Sequence, residues 1–118
     1  QQLFFSGDSG YGPHFQEIGE RYGSMDLVMM ECGQYNERWT AIHMMPEETV
    51  QATLDVRGNL LLPIHWGAFT LSMHRWTDPV SRVTAEAKRM NLRIATPKIG
   101  EMISLDYRNI PQSPWWSF

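Results

Sequence analysis

The stretch Leu60-Leu61-Leu62-Pro63-Ile64-His65-Trp66-Gly67 decides the fold. Its first five residues are apolar without interruption, and a short apolar run that ends in turn residues predicts a buried strand. A strand exposed on one face would alternate apolar with polar residues, so this run predicts burial on both faces, as in a sheet flanked by helices. His65 then stands at the carboxyl end of the strand, and Gly67 lets the chain turn away at once. Ligands and chemistry collect at the carboxyl ends of strands in such sheets, which makes His65 a candidate functional residue. A core histidine satisfied by a backbone carbonyl is the competing reading.

Working outward, the same pattern recurs. Leu3-Phe4-Phe5 runs into Ser6-Gly7-Asp8-Ser9-Gly10-Tyr11-Gly12, a strand passing into a tight loop with Asp8 at the strand end. Pro13 suits a first helical position, Phe15, Ile18 and Tyr22 recur at helical spacing, and Gly23 is expected as a left-handed cap. Met25 to Met30 reads as a second strand, followed by the loop Glu31 to Trp39. Strand, helix, strand predicts a right-handed crossover and a partly parallel sheet. Pro46-Glu47-Glu48 opens a second helix, where the helix dipole favours acidic residues, and Gly58 ends it. Asp78-Pro79 starts a third, with Val80, Val83, Ala87 and Met90 on one face and Asn91 at its end. Leu92 to Ala95 and Glu101 to Leu105 predict two short strands near an edge. Residues 106–118 form an irregular tail whose Pro114-Trp115-Trp116-Ser117-Phe118 end is too aromatic to stand in water, so it is expected to pack on the domain or on a neighbour.

With 118 residues, 42% of them apolar, the chain makes one domain or a part of one. A net charge of −3 and the lack of any basic patch exclude a nucleic-acid surface. Cys32 is the single cysteine, so no internal disulfide forms, and a reducing, cytoplasmic compartment is the simpler expectation. The chain begins directly in a strand-like segment without methionine, which suggests a start inside a longer reading frame.

Gly7-Asp8-Ser9-Gly10 matches two known serine environments. Chymotrypsin-like proteases need a histidine and an aspartate upstream, and only eight residues precede Ser9. Small Gly-Asp-Ser esterases need Asp-x-x-His near the carboxyl end, and no such spacing follows His74. The other role belongs to Asp8, because a carboxylate at a strand end in a glycine loop can bridge two metal ions without crowding them. His43 and His65 flank one helix, so both can reach the same rim of the sheet. One imidazole there can ligate zinc, while a second can stabilise an oxyanion or bind substrate. His14 and His74 read as surface histidines, and Cys32 as a small buried residue. Asp8 and His65 are two ligands, whereas a catalytic zinc site takes at least three from protein.

Taken in order, Phe4-Phe5-Ser6-Gly7-Asp8-Ser9-Gly10-Tyr11, Phe15-x-x-Ile18-Gly19-x-Arg21-Tyr22-Gly23, Tyr35-x-x-Arg38-Trp39, His43-x-x-Pro46-Glu47-Glu48 and Ile64-His65-Trp66-Gly67-x-Phe69 carry a family likeness. The chain resembles the carboxyl-terminal half of metallo-β-lactamase-fold hydrolases, in the branch of N-acyl-phosphatidylethanolamine-hydrolysing phospholipase D and its bacterial relatives. The resemblance covers residues 3 to 70. It implies an α/β (α+β) fold in which residues 1–118 supply one mixed sheet and its flanking helices to a four-layer αββα sandwich. It further implies a two-zinc site, with Asp8 bridging both metals, His65 as the last histidine ligand and His43 beside the scissile group. Tyr35, Arg38 and Trp39 would lie on the substrate-side loop. The hallmark His-x-His-x-Asp-His cluster belongs to the amino-terminal half and is absent here, so that half is the implied partner and the chain alone is expected to be inactive. Implied for the parent is a zinc-dependent hydrolase of a small-molecule or lipid phosphodiester. A lactonase of the same superfamily and a non-catalytic α/β interaction module stand as alternatives. Because the apolar strand Leu60 to Ile64 leaves one sheet face without a cover from the missing half, the chain is expected to pair into a homodimer or to fold its tail over that face.

Overall fold

A computed structural model describes residues 1–69 and 72–117. Phe118, the last residue of the aromatic tail, lies outside the described residues. Strands β1 (Leu3–Phe5), β2 (Leu27–Glu31), β3 (Leu60–Ile64) and β4 (Arg93–Ile94) form one sheet in the order β1-β2-β3-β4. Helices α1 (His14–Tyr22), α2 (Pro46–Asp55) and α3 (Asp78–Arg89) connect them in turn, with a single 3-10 turn at Glu37–Trp39. Phe4 pairs with Val28, Val28 with Leu61, and Leu61 with Ile94, all in parallel register. The sheet expected as mixed is therefore parallel throughout the described residues. Each of the first three strands is followed by a helix that carries the chain back to the same end, and such crossovers yield parallel neighbours.

Parallel order places the carboxyl ends of all strands on one rim, and the core fixes the sheet between two layers. On one face Val28, Met30 and Leu61 pack against Phe15, Val50, Val56 and Val83 of the helices. On the other, Leu27, Leu60 and Ala95, with Met29 and Leu62, are covered by Ile103, Leu105, Tyr107 and Ile110. Leu60 and Leu61, adjacent in sequence, are both fully buried, as the uninterrupted apolar run requires. Residues 103–110 of the chain itself thus lie on the second face, where the Trp115-Trp116 tail was expected. Leu3 and Phe5, on edge strand β1, remain exposed.

The strand expected over Glu101 to Leu105 does not form. That segment turns instead, Ser104 N donating to Asn109 O and Tyr107 N to Ser104 O, which frees Ile103 and Leu105 to cap the sheet. The Tyr107 hydroxyl donates to Asp26 O at 2.9 Å and pins the turn to the start of β2. β4 is shorter than the expected strand, and Thr96 leaves it to donate to Pro111 O. The aromatic tail packs on its own domain: Trp115 stacks on Trp66 at 5.4 Å, Trp116 meets the same ring edge to face, and Trp115 Nε1 donates to Thr96 O. Gly23 closes α1 in an extended rather than left-handed conformation (φ −61°, ψ 157°). Asn91 does take the left-handed conformation (φ 55°) after α3, where Leu92 N reaches back to Ala87 O.

Helices α2 and α3 are clamped by Arg82, whose Nε and Nη2 donate to the two Glu47 oxygens at 2.9 and 2.6 Å. This fork holds the Glu47 carboxyl below its ordinary value of 4.5, the hydrogen bond from Arg82 being the main cause. A depressed folded value means that the pair's contribution is present above pH 4.5 and is lost as pH falls through the folded value. Thermal unfolding followed across that acid range should therefore show wild type losing stability more steeply than Glu47→Gln. Parallel curves would contradict the clamp.

Candidate metal centre

Three loops at the carboxyl rim meet here. The first leaves β1 and carries Asp8. Ser6 ties its base to β2, accepting from Glu31 N at 3.0 Å and donating its own N–H to Met29 O at 2.9 Å. Gly7, at φ 56°, then turns the chain so that Asp8 stands at the rim. The second leaves β3 and carries His65, which itself adopts φ 69°, a left-handed conformation uncommon outside glycine and costing on the order of 1–3 kcal/mol. The turn away from the strand thus begins at His65 and not only at Gly67. That bend sets His65 Nδ1 3.3 Å from Asp8 Oδ1. The third loop precedes α2 and carries His43, with His43 N donating to Trp39 O. It docks on the first through Gly10, whose N–H donates to Ala41 O and where a Cβ would fall 2.0 Å from Thr40 O.

Ligand atoms of Asp8, His43 and His65 all lie within 4.8 Å of one another. Sequence reasoning counted Asp8 and His65 as ligands and set His43 apart. The geometry brings His43 within reach of the same ion, its ring centroid 5.2 Å from that of His65. A carboxylate and an imidazole, Asp8 and His65, are donor types that zinc and similar borderline divalent ions take, and the second imidazole, His43, stands beside them.

A fourth residue went unrecognised in the sequence. Glu31, the last residue of β2, is fully buried beneath the cluster. Its Oε1 accepts from Met44 N at 2.6 Å, while Oε2 lies 3.5 Å from His43 Nδ1 and 3.8 Å from His65 Nδ1. Burial, with Asp8 nearby, pushes its carboxyl up to about 7 against the pull of the Met44 N–H. The His43 imidazole is held below its ordinary value, first by burial and then by the His65 ring beside it. The available signal was an acid ending an otherwise apolar strand, Leu27-Val28-Met29-Met30-Glu31, at the same rim as Asp8 and His65.

Among the loop residues, Trp39 stands edge to face with His43, the ring centroids 6.2 Å apart. Arg38 is exposed and lines a groove of about 390 Å³ together with Tyr35, Met45 and His74. Tyr35 is buried, its ring stacked on His74 at 4.0 Å with the Arg82 guanidinium 5.0 Å from its centroid. His74, expected on the surface, is therefore half-buried against that ring. Cys32 is fully buried, and burial raises its thiol well above the ordinary value. Ser9 Oγ lies 3.2 Å from His14 Nε2, but no carboxylate among the described residues forms an ion pair with His14, so the esterase arrangement lacks its third member.

A family model described as a beta-lactamase superfamily domain matches residues 1–66. An uncharacterized protein of Mycobacterium tuberculosis is 40% identical over 118 residues, covering 98% of this chain and 32% of its own length. The mitochondrial N-acyl-phosphatidylethanolamine-hydrolyzing phospholipase D of Saccharomyces cerevisiae is 32% identical over 110 residues, 88% of this chain and 24% of that protein. The chain spans about a third or less of the length of these two relatives. Among solved structures, a metallo hydrolase of the archaeon Ignicoccus hospitalis superposes with a TM-score of 0.63 at 19% identity, over 85% of this chain and 40% of that one, a likeness of fold.

Proposed function

The chain belongs to the beta-lactamase superfamily, and from that premise we propose that it supplies part of the zinc centre of a phosphodiester-cleaving hydrolase. The observation that carries this reading is the convergence of Asp8, His43 and His65 donor atoms within 4.8 Å at the carboxyl rim of a parallel sheet. Asp8 and His65 would be the groups of this chain that hold the metal. The remaining ligands, a His-x-His-x-Asp-His cluster, come from an amino-terminal half outside this chain, a reading that the short coverage of the relatives supports. A phosphodiester is favoured over a lactone because the yeast relative is named for hydrolysing a phospholipid. A divalent ion held there supplies an activated water and a polarised ester oxygen.

This chain's own residues do the rest. Asp8 and His65 fix where the reaction takes place. His43, partly shielded and flanked by Trp39, opposes the negative charge that develops on the substrate. Because a group acting in the transition state affects rate more than ground-state binding, His43→Ala should lower turnover by about a hundredfold or more while bound zinc stays at the wild-type level. Zinc analysis beside phosphodiesterase kinetics of the full-length protein checks this. Zinc loss equal to that of Asp8→Ala would make His43 a ligand instead.

A further inference from the structure

Two buried polar atoms face each other at the centre without a hydrogen-bond partner among the described residues: Glu31 Oε2 and His43 Nδ1, 3.5 Å apart. Buried polar groups left unpaired are rare and costly, and Glu31 Oε2 lies nearer to His43 Nδ1, at 3.5 Å, than to His65 Nδ1, at 3.8 Å. The opposite end of the carboxylate is already committed, since Oε1 accepts from Met44 N at 2.6 Å, one residue beyond His43. Glu31 is itself fastened to the sheet. Its N–H donates to Ser6 Oγ, and its carbonyl accepts from Thr49 Oγ1 at 2.7 Å. The carboxylate therefore approaches the ring from a fixed direction, through the floor of the site.

We infer that Glu31 is a positioning residue for His43: its Oε2 accepts from His43 Nδ1–H, which fixes the ring's tautomer and orientation and leaves Nε2 as the nitrogen that serves the substrate. A carboxylate behind an imidazole selects which nitrogen carries hydrogen and supports the imidazolium that opposes a developing negative charge. Any proton that His43 exchanges then passes at Nε2. This inference rests on the proposed function only for what Nε2 does; the tautomer itself is a property of the folded chain.

The Met44 contact makes the test sharp. In Glu31→Gln the side chain keeps its shape, and the Met44 N–H still demands an acceptor, so the Gln carbonyl turns to Met44 and its NH2 group faces His43 Nδ1. The ring must then accept at Nδ1 and carry its hydrogen at Nε2. Nitrogen-15 NMR of the histidine rings in the metal-free full-length protein reads this directly. The expected result is the Nδ1–H tautomer for His43 in wild type and the Nε2–H tautomer in Glu31→Gln. An Nε2–H ring in wild type, or the same tautomer in both proteins, would overturn the inference. In the zinc-loaded full-length protein, Glu31→Gln should lower kcat about 10–100-fold with zinc content unchanged. Loss of zinc in that variant would place Glu31 among the ligands and also overturn it. A wild type with no phosphodiesterase activity would remove the proposed function and leave the tautomer reading standing.

Discussion

Asp8→Ala is expected to strip the centre of metal and remove turnover in the full-length protein. Asp8 stands on a loop whose conformation is set by Ser6 and Gly7 and not by its own side chain, so its carboxylate can be deleted without disturbing the sheet. Its Oδ1 lies 3.3 Å from His65 Nδ1, close enough for both to hold one ion. Loss of a partner that merely orients a ligand costs about 10–100-fold in affinity or activity, and deletion of a ligand itself should exceed that. Metal analysis with single-turnover kinetics would show both losses together. Retained metal with retained rate would remove Asp8 from the site.

The second large effect is expected from Gly33→Ala, a single methyl group placed against the backbone of His65. A Cβ at Gly33 would lie 1.2 Å from the carbonyl oxygen of His65 and 2.1 Å from its carbonyl carbon. Neither neighbour is the flexible end of a side chain. Both belong to the backbone of the bent residue that presents the imidazole, and Cys32 N fastens the preceding step by donating to Ile64 O at 3.0 Å. The loops after β2 and β3 must therefore separate, at a cost of about 3 kcal/mol or more. His65 should move away from Asp8, so metal affinity should fall along with the unfolding midpoint. Denaturant unfolding and metal titration of the same variant would show this, and wild-type values in both would mean that the close approach does not position His65.

Sheet and site were legible to different depths. β3 could be read because Leu60 to Ile64 is apolar at consecutive positions, a pattern only a strand covered on both faces needs, and Leu60 and Leu61 are both fully buried. The strand-end positions of Asp8 and His65 could be read because Gly7 and Gly67 mark the turns after β1 and β3. Glu31 could not, because a lone acid after an apolar run looks the same whether it begins a solvated loop or is buried beneath two imidazoles. Only the packing of Met44 and Thr49 around it distinguishes the two. The segment Glu101 to Leu105 reads as a strand because Met102, Ile103 and Leu105 are apolar at close spacing. It belongs instead to a turn that lays Ile103 and Leu105 on the sheet, closed by Ser104 and Asn109 and pinned by Tyr107. His74 was placed on the surface because nothing local in its sequence foretells the Tyr35 ring, which is brought to it by the fold.

Whether the rim where β1 and β3 end is a divalent-metal centre can be read from cobalt(II) substitution in the full-length protein. Cobalt held by imidazole and carboxylate in a site of low coordination gives visible bands whose strength reports its ligand geometry. Such bands are expected in wild type, with their loss in Asp8→Ala and in His65→Ala and their persistence in His43→Ala. Bands that survive both Asp8→Ala and His65→Ala unchanged would mean that this rim holds no metal.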